Sequence, residues 1–517
     1  MDTSRTGNSI RNTSNSMIAQ IVGIILNFVS RTFFIKLLNA DYLGVNGLFT
    51  DILTILSLAE LGIGSAIMYM MYKPIAEQNT KKVAAYANFY RKVYNIIGCV
   101  ILIVGLAITP FLYTFIGTVP DIDENIQIIY ILFLSNTAVS YFFTYKRSLI
   151  TAFQKEYLNS RNEILFALIK DIVQILILLV TRNYYFYLIT QIATTLASNI
   201  SISRKADKLF PELKQYHNEK LEKDETKLIA KNTVAMVSHK IGAVVVSGTD
   251  SILISTFVGL GTVGIYSNYK MLSTYLRQIV NRGINSITAS VGNLVATSEK
   301  EKVYFIFKRI YFVNLIFSYF VGVCFYGVAN SFILLWLGKD YLVNDLILLV
   351  ISANLFFNQI RQPAIITINT YGLFWDIKWK SIIEAIINLA ASIFLANTCK
   401  MGLLGVLLGT LISNLSTNIW WEPLIAYKEG MNKKVRYYYL NLLKDSIIFF
   451  LTIIIVYFVK NAVSKALSNS DFLCFLINGT CTVGISGIIF LLVYSRNPEF
   501  SYILTLARRL TKKVMKK

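Results

Sequence analysis

Charge is scarce in this chain. Asp, Glu, Lys and Arg make up only 15% of its 517 residues, too little to clothe a soluble protein of that length. Histidine is scarcer still, with two in all, and the five cysteines (Cys99, Cys324, Cys399, Cys474, Cys481) follow no CxxC or metal-ligand spacing. That argues against a zinc site and a disulfide framework and leaves the cysteines as apolar helix residues. No GxxxxGK[ST] loop occurs, so the sequence has no phosphate cradle for ATP hydrolysis. No cofactor is implied. The longest polar interval, Arg204 to Leu228, is too short to bury a core. Seven prolines leave long helices largely unbroken.

What is present is apolar: 55% of residues are hydrophobic and the mean hydropathy is +0.55. Stretches of about 18 residues or more recur from end to end, each able to cross roughly 30 Å of hydrocarbon. The expected fold is therefore all-α, a polytopic membrane protein of about fourteen transmembrane helices. Spans are expected near 14–38, 44–72, 93–116, 126–145, 162–181, 184–203, 229–258, 263–297, 310–337, 346–371, 381–398, 403–426, 437–459 and 472–494. The polar start, with Arg5 and Arg11 and no small-residue cleavage site after the first apolar run, reads as part of a retained first helix.

Lys and Arg in the gaps set an orientation. With the N-terminus inside, the inner gaps and both tails hold 35 of them and the outer gaps five, Arg182, Lys339, Lys400, Lys460 and Lys465. Both termini are thus expected on the cytoplasmic side of a cell membrane. The formal charge of +21 is mostly this asymmetry, not a nucleic-acid surface. From Pro498 to Lys517, Phe500, Ile503, Leu504, Leu510 and Val514 share one helical face while six Lys and Arg lie elsewhere, the pattern of a basic interfacial helix.

Sliding the chain along itself by about 220 residues aligns Gly44 with Gly264, Ala76 with Ala296, Val83 with Val303, Ala152 with Gly372 and Asn199 with Asn418. A shift that joins span 1 to span 7 preserves sidedness, so the halves are parallel copies. The expected domains are a first six-helix lobe over 1–203, a cytoplasmic linker over 204–228, and a pseudo-symmetric second lobe over 229–427. Two extra helices over 428–494 and the basic tail over 495–517 complete the chain.

Ionisable residues inside the spans are costly and mark bundle interiors or water-lined paths. Lys36, Lys231 and Lys444 lie near enough to span ends to snorkel. Lys170 and Asp171 are adjacent and cannot share one helical face, so each is expected to meet a different neighbour. His239 is a possible proton carrier, although a lone histidine is more often a hydrogen-bonded packing residue, and Glu384 is read as structural. The sharper signal is the stripe Lys270, Thr274, Arg277, Asn281, Asn285, Thr288 and Gly292, spaced by three and four on one face of span 8. Thr50, Ser57, Glu60 and Gly64 follow a related stripe on span 2. Span 1 offers Ser16, Gln20, Asn27 and Arg31, and span 7 offers His239, Lys240, Ser247, Asp250 and Ser251.

Such faces either pack on one another as buried ion-pair glue or line a wet cavity. Arg31, Lys240, Lys270, Arg277, Arg282 and Arg361 outnumber Asp51, Glu60 and Asp250. The excess is positive and suits an anion, with guanidinium matched to phosphate oxygens. The six cations are the candidate substrate-binding set, with Gln20, Asn27, Ser57, Asn281 and Asn285 as polar lining. The three carboxylates are candidates for ion coupling.

The stretch LGVNGLFTDILTILSLAELGIGSAIMYMMYKPIAEQNTKKVAAYANFYRKVY, Leu43 to Tyr94, resembles the second-helix region of Wzx-type polysaccharide repeat-unit flippases of the MOP exporter superfamily. The resemblance implies alternating access by two rocking lobes. The cargo it implies is an undecaprenyl-diphosphate-linked oligosaccharide, carried to the outer leaflet for capsule or related glycan assembly, with membrane lipids and other polysaccharide-assembly proteins as partners. Lipid II flipping or MATE-like export on the same scaffold is the alternative, although surplus intramembrane cations disfavour cationic drugs. A membrane glycosyltransferase or glycan polymerase would need a larger loop carrying its catalytic groups, so no enzyme is expected.

Overall fold

A computed structural model describes residues 5–60, 62–117, 120–286, 291, 294–295, 299–373, 375–467 and 470–505. Among them every regular element is helical. The first half holds α1 (Arg5–Leu37), α2 (Ala40–Leu56), α3 (Ile63–Ala76), α4 (Thr80–Ile108), α5 (Ile126–Ala152), α6 (Tyr157–Thr181), α7 (Tyr184–Leu209), α8 (Lys223–Phe257) and α9 (Leu260–Ser286). The second holds α10 (Lys300–Leu337), α11 (Asp345–Ile360), α12 (Gln362–Tyr371), α13 (Lys378–Ile393), α14 (Gly402–Ser413), α15 (Ile419–Ile425), α16 (Arg436–Ala466) and α17 (Asp471–Tyr494). The chain is an all-α multi-pass membrane protein.

Asparagine starts many of these helices. The side chains of Asn39, Asn79, Asn125, Asn183 and Asn344 accept backbone N–H groups in the first turns of α2, α4, α5, α7 and α11, satisfying donors that have no helical partner. Nine helical runs among the described residues are long and apolar enough to cross a membrane, and large apolar side chains such as Ile21, Ile103, Val180 and Leu492 stay exposed on them. The other expected spans fall on α2–α3, α7, α8, α9 and α11–α12. These are interrupted or carry more polar residues, and so fail a test of length and hydropathy alone.

Element starts repeat. Ala40 of α2 and Leu260 of α9, and Thr80 of α4 and Lys300 of α10, are each 220 residues apart; Ile126 of α5 and Asp345 of α11 are 219 apart. The caps Asn125 and Asn344 keep that same offset. The repeat is therefore one of helices and their caps as well as of residues.

By packing the chain divides into two compact units, residues 1–264 and 265–517, so α8 is counted with the first. Inside that unit α8 lies along α2, and the starts of α2 and α9 meet through a reciprocal contact. A methyl group at Gly44 would strike the Leu260 carbonyl, and one at Gly264 would strike the Ala40 carbonyl. Since 40 pairs with 260 and 44 with 264 in the repeat, the two contacts are copies of each other. Only glycine lets the backbones approach so closely.

In the second unit α10 is packed against α11, α16 and α17. Asp445 of α16, buried, accepts hydrogen bonds from Tyr311 of α10 at 2.8 Å and Tyr494 of α17 at 2.5 Å. One carboxylate thus ties three helices together.

Candidate functional site

The expected second span is broken. After α2 the chain tightens into a 3₁₀ turn, Ser57–Glu60, and resumes as α3 beyond Gly62, whose φ of +84° is the left-handed conformation glycine accepts without strain. Residue 61 lies outside the described residues. The break carries Glu60, and Tyr94 of α4 donates to its Oε1 at 2.5 Å. Tyr141 of α5 interacts electrostatically with Glu60. Ser57 is half-buried and donates back to the Thr54 carbonyl at 2.6 Å. Asp51 on α2 and Asp250 on α8 are both buried.

On α1, Gln20 and Arg31 are half-buried, while Asn27 is exposed and donates to Gly23 of its own helix at 2.8 Å. Arg31 and Asp171 both act on Tyr187, which hydrogen-bonds Ser30. Lys170 does not seek a separate neighbour as its spacing suggested. Its flexible stem folds back so that Nζ lies 3.0 Å from Asp171 Oδ1. The side chains of Lys240, His239 and Ser247 of the seventh span and of Asn285 of the α9 stripe are outside what the structure describes, as are residues Thr288 and Gly292.

Four residues of that stripe are placed together: Lys270, Thr274, Arg277 and Asn281 are half-buried on one face of α9, whereas Arg282 is exposed. Arg277 stands apart from the others. Among the described residues it has no ion pair and no hydrogen bond, and the charged side chain acting on it is another guanidinium, that of Arg361.

Arg361 is differently housed. It sits where the tenth span breaks, as the residue between α11 and α12, with Pro363 in the first turn of the second segment. Its Nε and Nη2 donate to Glu422 Oε2 and Oε1 at 2.9 and 2.7 Å, a two-pronged pair. Lys380 of α13 adds a second cation. Its buried Nζ donates to Glu422 at 2.9 Å, Glu384 at 3.2 Å and Asn418 at 2.7 Å. Asn418 in turn donates to the other Glu384 oxygen at 2.5 Å. Two cations and two carboxylates form a closed, charge-balanced network.

Glu422 lies on α15 beside Pro423, between two π-helical stretches, Asn414–Asn418 and Ala426–Met431. The wider π turns rotate the acceptors Asn418 and Glu422 inward from a single run. Glu384, read as structural from the sequence, belongs to this network, and Lys380 and Glu422 went unread. They sit near expected span ends, where a charged residue ordinarily snorkels. The motif Arg-Gln-Pro at 361–363 was the signal available for the break.

The candidate residues thus differ in state. Arg361 is neutralised by a carboxylate, Arg277 is not, and Glu60 is held by the Tyr94 hydroxyl.

A family model described as polysaccharide biosynthesis protein matches residues 9–291, more than half of the chain. No curated protein matches in sequence. Among solved structures, an inward-facing multidrug-resistance MATE transporter of the MOP superfamily is 13% identical, with a TM-score of 0.61, covering 81% of this chain and 98% of its own. The lipid II flippase MurJ, in an inward closed conformation, is 15% identical with a TM-score of 0.60 over 94% of this chain and 99% of its own. The Vibrio cholerae MATE transporter VcmN is 14% identical with a TM-score of 0.56, covering 84% and 100% respectively. At these identities the likeness is one of fold. The chain belongs to the polysaccharide biosynthesis protein family and has the helical fold of MOP-superfamily transporters, in line with the Wzx-type resemblance of Leu43 to Tyr94.

Proposed function

We propose that the protein is a flippase, not an enzyme, which carries undecaprenyl-diphosphate-linked oligosaccharide repeat units from the inner to the outer leaflet of the cytoplasmic membrane. The observation that carries this reading is Arg277: a half-buried guanidinium within an expected span, with no carboxylate partner among the described residues. A cation kept unneutralised at membrane depth is costly, and a diphosphate offers the anion that offsets the cost. Lys270 on the same face and Arg282 further along α9 supply further positive field; the sequence adds Arg31 and Lys240 to the candidate cations. Gln20, Asn27, Ser57 and Asn281, with Asn285, offer neutral polar contacts for sugars. Both termini lie in the cytoplasm on this reading, the two lobes alternate access, and the product feeds capsule or another surface polysaccharide.

The test is reconstitution into liposomes with a defined diphosphate-linked lipid and leaflet-selective detection. Wild type should equilibrate the lipid, Arg277→Ala should not, and Arg277→Lys should retain part of the rate if the contact is two-pronged. Equal rates for wild type and Arg277→Ala would overturn the reading. Lipid II shares the diphosphate and would meet the same cation; running it beside a glycan repeat unit separates the two cargoes.

A further inference from the structure

The side of α2 and α3 that no neighbour covers is unlike the open sides of the helices around it. Within the first unit these two segments pack on α4, α5 and α8. Elsewhere in that unit the open sides are apolar, with Ile96 and Ile103 on α4, Leu165 and Ile172 on α6, and Phe186 and Ile189 on α7 exposed, as contact with hydrocarbon requires. Among the described residues of α2 and α3 no Ile, Leu, Val, Phe or Met is exposed.

Asn46, Thr50, Thr54 and Ser57, spaced by four, four and three, follow one another along the open side of α2. Thr54 and Ser57 donate back to their own helix at 2.8 and 2.6 Å, so each hydroxyl oxygen keeps acceptor capacity for a second partner. The strip carries no charge, because Asp51 is buried and Glu60 is taken by Tyr94. Beyond the break, α3 adds two rings. Tyr69 and Tyr72 are 69% and 44% exposed, one turn apart on the same face. Among the described residues neither ring stacks on another and neither hydroxyl has a hydrogen-bond partner.

Aromatic rings at a span end ordinarily belong to the interfacial belt. Trp375 and Trp379, at the start of α13, fit that role, because the open side of α13 continues as Ile383 and Ile386. The rings of α3 adjoin hydroxyls and an amide instead, a surface that suits water or a polar cargo and not lipid tails.

We infer that Tyr69 and Tyr72 form a stacking platform for a sugar ring of the cargo, and that the neutral strip of α2 receives the hydroxyls of the sugars beyond it. The inference rests on the flippase reading, which also makes the α3 end of the strip cytoplasmic. One face of a pyranose presents C–H groups that lie against the electron-rich face of a phenol ring, while its rim of hydroxyls seeks hydrogen-bond partners. Such a platform reads ring shape and not charge. It acts on the glycan, whereas Arg277 acts on the diphosphate.

Binding to the full chain in lipid nanodiscs tests the platform with two probes, undecaprenyl diphosphate bearing a neutral hexose trisaccharide and undecaprenyl diphosphate alone. Tyr69→Leu and Tyr72→Leu keep apolar bulk but lose the ring face. Each should weaken binding of the trisaccharide lipid by about 3- to 10-fold and leave the sugar-free lipid unchanged. Tyr69→Phe and Tyr72→Phe should keep most of the affinity, and Arg277→Ala should weaken both probes. Both tyrosines are exposed, so all four tyrosine variants should unfold at the wild-type temperature. Equal losses on the two probes would make the rings interfacial anchors and overturn the inference, as would unchanged trisaccharide binding in both leucine variants. If wild type binds neither probe, the flippase reading fails and the platform falls with it. If wild type binds both and the leucine variants do not discriminate between them, the platform alone fails.

Discussion

The two units solve one problem in opposite ways. Each interrupts a membrane-crossing helix, the first at Ser57–Gly62 and the second at Arg361, and each places a carboxylate beside an interruption. In the second, Glu422 receives Arg361 and Lys380 and its charge is matched within the protein. In the first, Glu60 receives the Tyr94 phenol. The paired network is suited to hold a shape.

That contrast predicts where substitutions hurt stability and where they hurt transport. Arg361→Ala leaves Glu422 buried with half its neutralisation gone, and should cost about 3–5 kcal/mol in a detergent unfolding assay. Replacing Arg361 and Glu422 together by Met and Leu should recover most of that loss. A single variant as stable as wild type would mean that the network bears no strain of shape. Arg277→Ala, by contrast, removes an unpaired cation; it should abolish lipid equilibration and move stability by less than about 0.5 kcal/mol.

Gly44→Ala should destabilise by about 1–3 kcal/mol through overpacking, and Gly264→Ala by a similar amount because their contacts are reciprocal. Thermal unfolding of the two variants side by side checks whether the contact is symmetric.

The smallest effect belongs to the first turn of α8 and the polar interval before it, fastened to α4 by Lys82–Glu225 at 2.7 Å and by Asn88, which donates to the Tyr216 and Glu219 carbonyls. Burial pushes the Glu225 carboxyl up, but the Lys82 ammonium and the Tyr86 hydroxyl outweigh it and hold it below the usual carboxylate range. A carboxyl depressed in the folded state adds stability above its ordinary value of 4.5 and loses it as pH falls through the depressed value. Lys82→Ala should therefore cost under about 1 kcal/mol at neutral pH and nothing in strong acid, and added salt should shrink the difference. Amide hydrogen exchange over residues 211–225 would register the loosening.

Much of this was legible in the sequence. Apolar runs located the spans, and the 220-residue offset located the copies, because both depend on long stretches whose periodicity is robust. What escaped were departures from regular helix. The span expected over 44–72 contains a 3₁₀ turn, and the one over 403–426 contains π turns, at sites marked by little more than Gly62 and Pro423. Pairing escaped for a related reason. Whether Arg361 is free or neutralised depends on Glu422, sixty-one residues away, and no spacing rule connects them. Lys170 and Asp171 show the converse error: spacing on a helix says where side chains start, and a long lysine ends where its stem allows. Asp445 could have been found, as a lone acid in LKDSIIFF, had its burial been weighed beside that of Lys444.

Asp445 also bears on how this protein can be cut. The last two helices lie outside the internal repeat and look dispensable, yet Tyr311 of α10 and Tyr494 of α17 share the Asp445 carboxylate, and Phe356 of α11 stacks on Phe449 of α16 at 4.2 Å. Truncation after residue 435 would strand a buried phenol and bare an aromatic face. A shortened twelve-helix chain would have to be redesigned along α10 and α11, beginning with Tyr311→Phe, before it could be expected to insert and fold.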